Sequence, residues 1–117
     1  MKKSLLTLGC AVLGLTSQIA LADCIYPKAP DPVNASTATQ PDMMAAMAAF
    51  KQYNTDVDAY VTCLDTETAD KVKEASGAGA IMQIKSMQAR KKTAATDERQ
   101  AKIDAFNKAV REFKSKG

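Results

Sequence analysis

The sequence has 117 residues, of which 16 are basic, 13 are acidic and none is histidine. This length is enough for one small domain. The near balance of charge does not favour nucleic-acid binding, which requires a strongly basic face. Histidine is the commonest general base and metal ligand, so its absence leads us to expect no enzyme activity and no resident cofactor.

Residues 1–22 have the pattern of a secretory signal peptide. Two lysines precede an apolar stretch at residues 5–15, and residues 20–22 read Ala-Leu-Ala, the small-x-small form that precedes cleavage. The apolar stretch is shorter than the ~20 residues that span a bilayer. We therefore expect cleavage before Asp23, no transmembrane segment after cleavage, and a periplasmic or secreted bacterial protein.

Export decides how the cysteines are used. Cys10 lies in the predicted signal peptide, which leaves Cys24 and Cys63 in an oxidising compartment. Two cysteines permit one intramolecular pairing, so a disulfide between Cys24 and Cys63 is predicted. Closing a loop of about 40 residues contributes about 4 kcal/mol in the chain-entropy model. The sequence has no Cys-x-x-Cys pair, which favours a structural role over redox chemistry.

The segment that follows the predicted cleavage point, residues 23–40, is here called the leader. It contains Pro27, Pro30 and Pro32, and because proline lacks an N–H and fixes φ, the leader is predicted to be extended. The predicted disulfide requires the leader to run back along the first helix, since Cys63 lies ~32 Å along a helix from Asp42. We expect Tyr26 and the prolines of the leader to lie over the apolar flank of that helix.

A first helix is predicted from residue 41 onwards. Thr39 and Asp42 form a potential capping box, with Pro41 near the first helical position. Apolar residues then recur at steps of three and four, as in a coiled-coil heptad. Ala46, Tyr53 and Tyr60 flank them at intervals of seven and are predicted to widen the buried stripe. The predicted buried seam comprises Met43, Met47, Phe50, Asn54, Val57, Val61 and Leu64.

Glycines at residues 77 and 79 predict a bend, and the alanine- and lysine-rich segment after them predicts a second helix. We expect one continuous helix with a loosely packed polar middle at residues 90–99. A helix start at Thr96 would instead divide the segment in two. The predicted core residues of its last turns are Ile103, Phe106, Val110 and Phe113.

These elements predict an all-α fold, in which residues 41–117 form an antiparallel, coiled-coil-like helical hairpin and one disulfide holds the extended, proline-rich leader against it. Residues 23–70 contain eight acidic and two basic residues, whereas residues 71–117 contain five acidic and twelve basic ones. We expect the two helices to present complementary charges to each other.

For function, the sequence favours a non-enzymatic exported protein that acts by protein binding or as a structural component of the envelope. The partner is an unknown protein or a second copy in a homodimer, with no nucleic acid. A periplasmic chaperone-like or stress-adaptor role is an alternative. A minor alternative is Cu(I) binding by Met43, Met44 and Met47, because Cu(I) accepts thioether ligands; otherwise methionines at helical spacing are core residues.

The chain resembles a group of small secreted proteobacterial proteins that are uncharacterised. The resemblance rests on a Cys-x-x-Pro start of the leader, the Cys-Leu pair at the end of the first helix, and the segment Phe106-Asn107-x-x-Val110-Arg111-x-Phe113-Lys114. Residues 69–96 depart from the group. The resemblance implies the compartment and the helical-hairpin shape, and it implies no activity. The residues that carry its first part are Cys24, Pro27, Pro30, Pro32, Met43, Tyr53, Tyr60, Cys63 and Leu64.

Overall fold

The computed structural model describes residues 23–117, so the predicted signal peptide lies outside the described residues. Two α-helices, α1 (Gln40–Glu74) and α2 (Ala78–Lys116), pack against each other as an antiparallel hairpin. Residues 23–117 contain no β-strand. The predicted fold class, an all-α hairpin with a leader held by one disulfide, is confirmed.

The start of α1 has the predicted capping box. The Thr39 hydroxyl accepts a hydrogen bond from the backbone N–H of Asp42, and the Asp42 carboxylate accepts one from the backbone N–H of Thr39 at 2.8 Å. The bond from the Thr39 backbone N–H holds the pKa of Asp42 below its usual value, because it favours the charged carboxylate. The helix begins at Gln40, one residue before the predicted boundary.

Three residues, 75–77, connect the helices. Gly77 has a φ of 90°, a conformation that glycine adopts without the steric cost of a Cβ atom. α2 then continues unbroken past Thr96, whose hydroxyl donates to the carbonyl of Lys92 at 3.0 Å inside the helix. The alternative in which Thr96 starts a new helix is therefore wrong.

The leader runs antiparallel to α1, as the predicted disulfide required. Cys24 and Cys63 are bonded, with their Cα atoms 5.7 Å apart. Pro27 is buried, and the leader ends in a turn at residues 35–37. In this turn the Asn34 side-chain oxygen accepts the backbone N–H of Ser36 at 3.0 Å.

The buried stripe of α1 is displaced from the predicted seam. Tyr53 and Tyr60 are buried, whereas Asn54 and Val61 are half-buried and Met47 is 47% exposed. The leader explains this difference, because it covers the side of α1 that carries the two tyrosines. The buried residues of α1 are Met43, Phe50, Tyr53, Val57, Tyr60 and Leu64.

The packing of α2 also differs from expectation in its middle. Ala95 is 1% exposed and belongs to the same cluster as Val57, Tyr60 and Leu64, so the expected loose packing at residues 90–99 is wrong. A small alanine lets the helices approach where α1 presents large side chains. The large apolar residues of the last turns, Ile103, Phe106, Val110 and Phe113, are half-buried.

Candidate binding surface

The hairpin has two long faces, and the leader fills one of them. The ring of Tyr26 packs edge-on against that of Tyr60 in α1, with centroids 5.3 Å apart. Its hydroxyl donates a hydrogen bond to the Glu98 carboxylate in α2 at 2.5 Å. One leader residue therefore contacts both helices, and the leader acts as a third layer of the fold.

The Tyr26–Glu98 contact changes the acidity of the phenol. The hydrogen bond to the Glu98 carboxylate, together with partial burial, raises the pKa of Tyr26 to about 12. Both effects favour the protonated phenol, since the phenolate would face a carboxylate in a less polar setting. This end of the leader is therefore held most firmly while Tyr26 carries its proton.

The other end of the leader is held by the end of α2. The Lys116 ammonium donates hydrogen bonds to the carbonyls of Ala35 at 2.7 Å and Ser36 at 2.9 Å. Between these ends, Phe50 and Phe106 stack with centroids 4.6 Å apart. Prolines of the leader and these two rings enclose a small cavity of about 90 Å³.

The opposite face of the hairpin is not covered by the described part of the leader, and we call it the open groove. An α-helix turns about 100° per residue, so each residue after a leader-facing position points toward this face. On α1, helical periodicity places Met47, Asn54 and Val61 on this side, one position after Ala46, Tyr53 and Tyr60. The side-chain oxygen of Asn54 is buried there without a hydrogen-bond partner.

Two ion pairs bridge the helices along the open groove. Asp58 of α1 pairs with Arg99 of α2 at 2.6 Å, and Asp65 pairs with Lys92. Asp58 and Asp65 lie three residues before and four residues after Val61, so all three share one face of α1. Acidic residues of α1 thus meet basic residues of α2, in agreement with the predicted charge complementarity.

An apolar cavity of about 200 Å³ lies between the start of α1 and the end of α2. We call it the methionine pocket, because three of its lining residues are methionines that the sequence analysis considered as metal ligands. Met44 is 66% exposed and Met47 is 47% exposed, whereas Met43 is buried. The lining residues are Gln40, Met43, Met44, Met47, Phe106, Val110, Phe113 and Lys114.

Beyond the disulfide the interface between the helices becomes polar. Gln88 is 2% exposed, and neither polar atom of its amide makes a hydrogen bond of ordinary geometry. Glu67 accepts a hydrogen bond from Lys71 at 2.5 Å, which lowers the pKa of Glu67, and the nearby Gln88 amide favours the charged carboxylate further. A buried amide that makes no hydrogen bond of ordinary geometry weakens this part of the interface.

The sequence points to the methionines and to the position of Tyr26 over α1, but not to the residues that complete the pocket or to the polar contacts that hold the leader. Helical spacing places Phe106 and Phe113 in the core, and their approach to Met47 depends on the register between the helices. Tyr26–Glu98 and Lys116–Ala35 join residues more than 70 positions apart. No periodicity marks a single tyrosine or a terminal lysine as such a contact.

Comparison with protein-family models, with curated proteins and with solved structures gives no significant match to this chain. Across residues 23–117, neither helix combines the length and apolar character that crossing a membrane requires. The same residues contain no cluster of three or more histidine, cysteine, aspartate or glutamate side chains placed to hold a metal ion.

Proposed function

We propose that this chain is an exported, non-enzymatic protein that acts by binding an amphipathic helix of another protein in the open groove. The observation that carries the proposal is the asymmetry of the two faces. The leader fills one face, whereas the other leaves Met47 47% exposed in the same pocket as half-buried Val110, with half-buried Val61 about four turns farther along α1. A groove between two helices suits a third helix that adds its apolar side.

The methionines support this proposal. Five of the six methionines lie within residues 23–117, and four of them, Met44, Met47, Met82 and Met87, are exposed. Methionine is flexible and polarisable, and binding surfaces that adapt to different apolar partners use it often. The ion pairs of Asp58 and Asp65 with α2 place charges along the groove that can fix the orientation of a partner.

Export is supported by the disulfide and by the pattern of residues 1–22. A disulfide such as Cys24–Cys63 persists in oxidising compartments. Expression of the full chain in a bacterium and mass analysis of the periplasmic and culture fractions tests this part. We expect a processed form that begins at Asp23, and an unprocessed chain confined to the cytoplasm would contradict export.

The binding role is tested by crosslinking and affinity purification from the envelope of the native host. We expect wild-type protein and Ala48→Glu to recover the same partner in a constant ratio, whereas Met47→Glu loses it. Ala48 is exposed on α1 next to Met47, so it controls for the added charge. Equal recovery with both variants would exclude the open groove as the binding surface.

A chaperone-like or stress-adaptor role is the second candidate, and the wide separation of the exposed methionines favours it. Met44 lies at the start of α1, and Met82 lies near the opposite end of the hairpin. An unfolded client protein would contact several such sites at once. If the chaperone-like role is right, the protein is expected to suppress the aggregation of a model client at equimolar ratio. A homogeneous complex with one protein, without suppression of aggregation, favours the specific partner instead.

A further inference from the structure

We propose that the methionine pocket binds a soft monovalent cation, Cu(I), through the thioether sulfur atoms of Met43, Met44 and Met47. This inference does not rest on the proposed protein-binding role, because it concerns the chemistry of three side chains and not the apolar surface that they share with the groove.

The helix places the three sulfur-bearing side chains together. Met43 and Met47 are four residues apart, and Met44 and Met47 are three residues apart, so each of these pairs is adjacent on the surface of α1. All three side chains line one cavity of about 200 Å³. Methionine has three rotatable bonds, which allows neighbouring thioethers to turn toward a common point.

The ligand atoms in the pocket determine which type of cation it can bind. Thioethers are soft, uncharged ligands that suit Cu(I), whereas Mg²⁺ and Ca²⁺ require oxygen ligands and Zn²⁺ prefers thiolate and imidazole. Phe106, Val110 and Phe113 form the opposite wall. Lys114 is the charged residue that lines the pocket, and its ammonium group opposes the cation.

Core packing does not account for this cluster. It explains Met43, which is 8% exposed, but it does not explain Met44 at 66% or Met47 at 47% exposure. An exposed methionine at the edge of a small pocket gives little packing energy, since its side chain remains largely in water. A ligand set consisting of one buried and two accessible thioethers leaves a path for the ion to enter.

The test uses the full chain with Cys10→Ser, which removes the one cysteine outside the disulfide. Ag(I) serves as a probe that resembles Cu(I) and needs no reductant, so the Cys24–Cys63 bond stays intact. The protein is titrated in chloride-free buffer while ¹³C-labelled methionine methyl groups are followed by NMR. We expect one equivalent to shift the methyl signals of Met43, Met44 and Met47 and to leave those of Met82 and Met87 unchanged.

Leucine variants give the matched comparison, since leucine keeps the volume and apolar character of methionine. The triple variant Met43→Leu, Met44→Leu, Met47→Leu is expected to lower the affinity at least about tenfold. The control variant Met82→Leu, Met87→Leu is expected to retain the wild-type affinity. Lys114→Gln is expected to raise the affinity, because it removes the ammonium group that opposes the cation. Because thioethers carry no proton to lose, the affinity is also expected to stay constant from about pH 5 to about pH 8.

Three results would overturn the proposal. These are equal shifts at Met82 and Met87, wild-type affinity in the triple leucine variant, and no binding tighter than micromolar. Circular dichroism of each variant verifies that the helices remain. The triple leucine variant also separates the two proposals, because its groove remains apolar: it is expected to keep the protein partner that Met47→Glu loses.

Discussion

The half of the hairpin that the leader covers, residues 24–64 and 92–116, differs sharply from the tip, residues 65–91. The covered half contains two tyrosines, Phe50 and several aliphatic residues with exposures of 8% or less. In the tip, the one buried residue is Gln88, and its amide lacks hydrogen-bond partners. Both halves consist of the same two helices, so helix pairing alone does not produce the difference.

The comparison shows what a third layer contributes to a two-helix fold. Two helices bury only the stripe along which they touch, and the sides of that stripe remain in water. In the covered half, Tyr26 and Pro27 of the leader close one side over Tyr53 and Tyr60. The leader is therefore part of the core, and the disulfide keeps it in place.

Loss of the disulfide is expected to have the largest effect. The double variant Cys24→Ser, Cys63→Ser should lower the free energy of unfolding by about 4 kcal/mol, because the unfolded chain is no longer cross-linked. Chemical denaturation measures this loss, and hydrogen exchange should show the leader opening first. The control is Thr62→Ser, an exposed residue beside Cys63. An unchanged free energy of unfolding in the double variant would show that the disulfide does not stabilise the fold.

Truncation of one apolar residue in each half tests the comparison directly. Leu64→Ala, at a position 1% exposed, should cost about 3 kcal/mol because it leaves a cavity. Ile84→Ala, at a half-buried position of the tip, should cost less than about 1 kcal/mol, since alanine also favours the helix. Equal costs, measured by denaturation of both variants, would mean that the tip is packed as firmly as the covered half.

Replacement of Gln88 by leucine should make the tip resemble the covered half. Removing a buried amide without partners and adding apolar contact is expected to raise the free energy of unfolding by about 1 kcal/mol. Hydrogen exchange of the amides in residues 78–90 should slow at the same time. Gln83→Leu, at an exposed position of the same helix, is the control. Destabilisation by Gln88→Leu would show that the amide has a partner, such as Glu67.

Tyr26→Phe is expected to have the smallest effect, at most about 1 kcal/mol, because it keeps the ring and removes only the hydrogen bond to Glu98. The pKa of Tyr26 is raised to about 12 in the folded protein, against about 10 for an unperturbed tyrosine. Its contribution should be fully present below pH ~10 and disappear as the pH rises toward ~12. Stability measured from neutral to alkaline pH should fall more steeply in wild type and in Tyr60→Phe than in Tyr26→Phe, in which the loss that remains comes from Tyr53, whose pKa burial also raises.

Local sequence features predict much of the architecture. The Thr39–Asp42 capping box, the glycine bend and the two cysteines specify where α1 begins, where the chain reverses and where the leader is attached. The side of the helix that is buried was less predictable. Positions 54 and 61 fit a heptad as well as the tyrosines at 53 and 60 do, and the choice between them depends on which side the leader covers.

The helices, the disulfide and the complementary charges follow from the amino-acid sequence, because caps, periodicity, cysteine pairing and net charge are properties of short segments or of composition. The face that the leader fills, the exposure of the methionines and the pocket that Phe106 and Phe113 complete around them depend on packing between distant segments. These outcomes depend on the register between α1, α2 and the leader, which is set by side-chain packing between residues far apart in the chain.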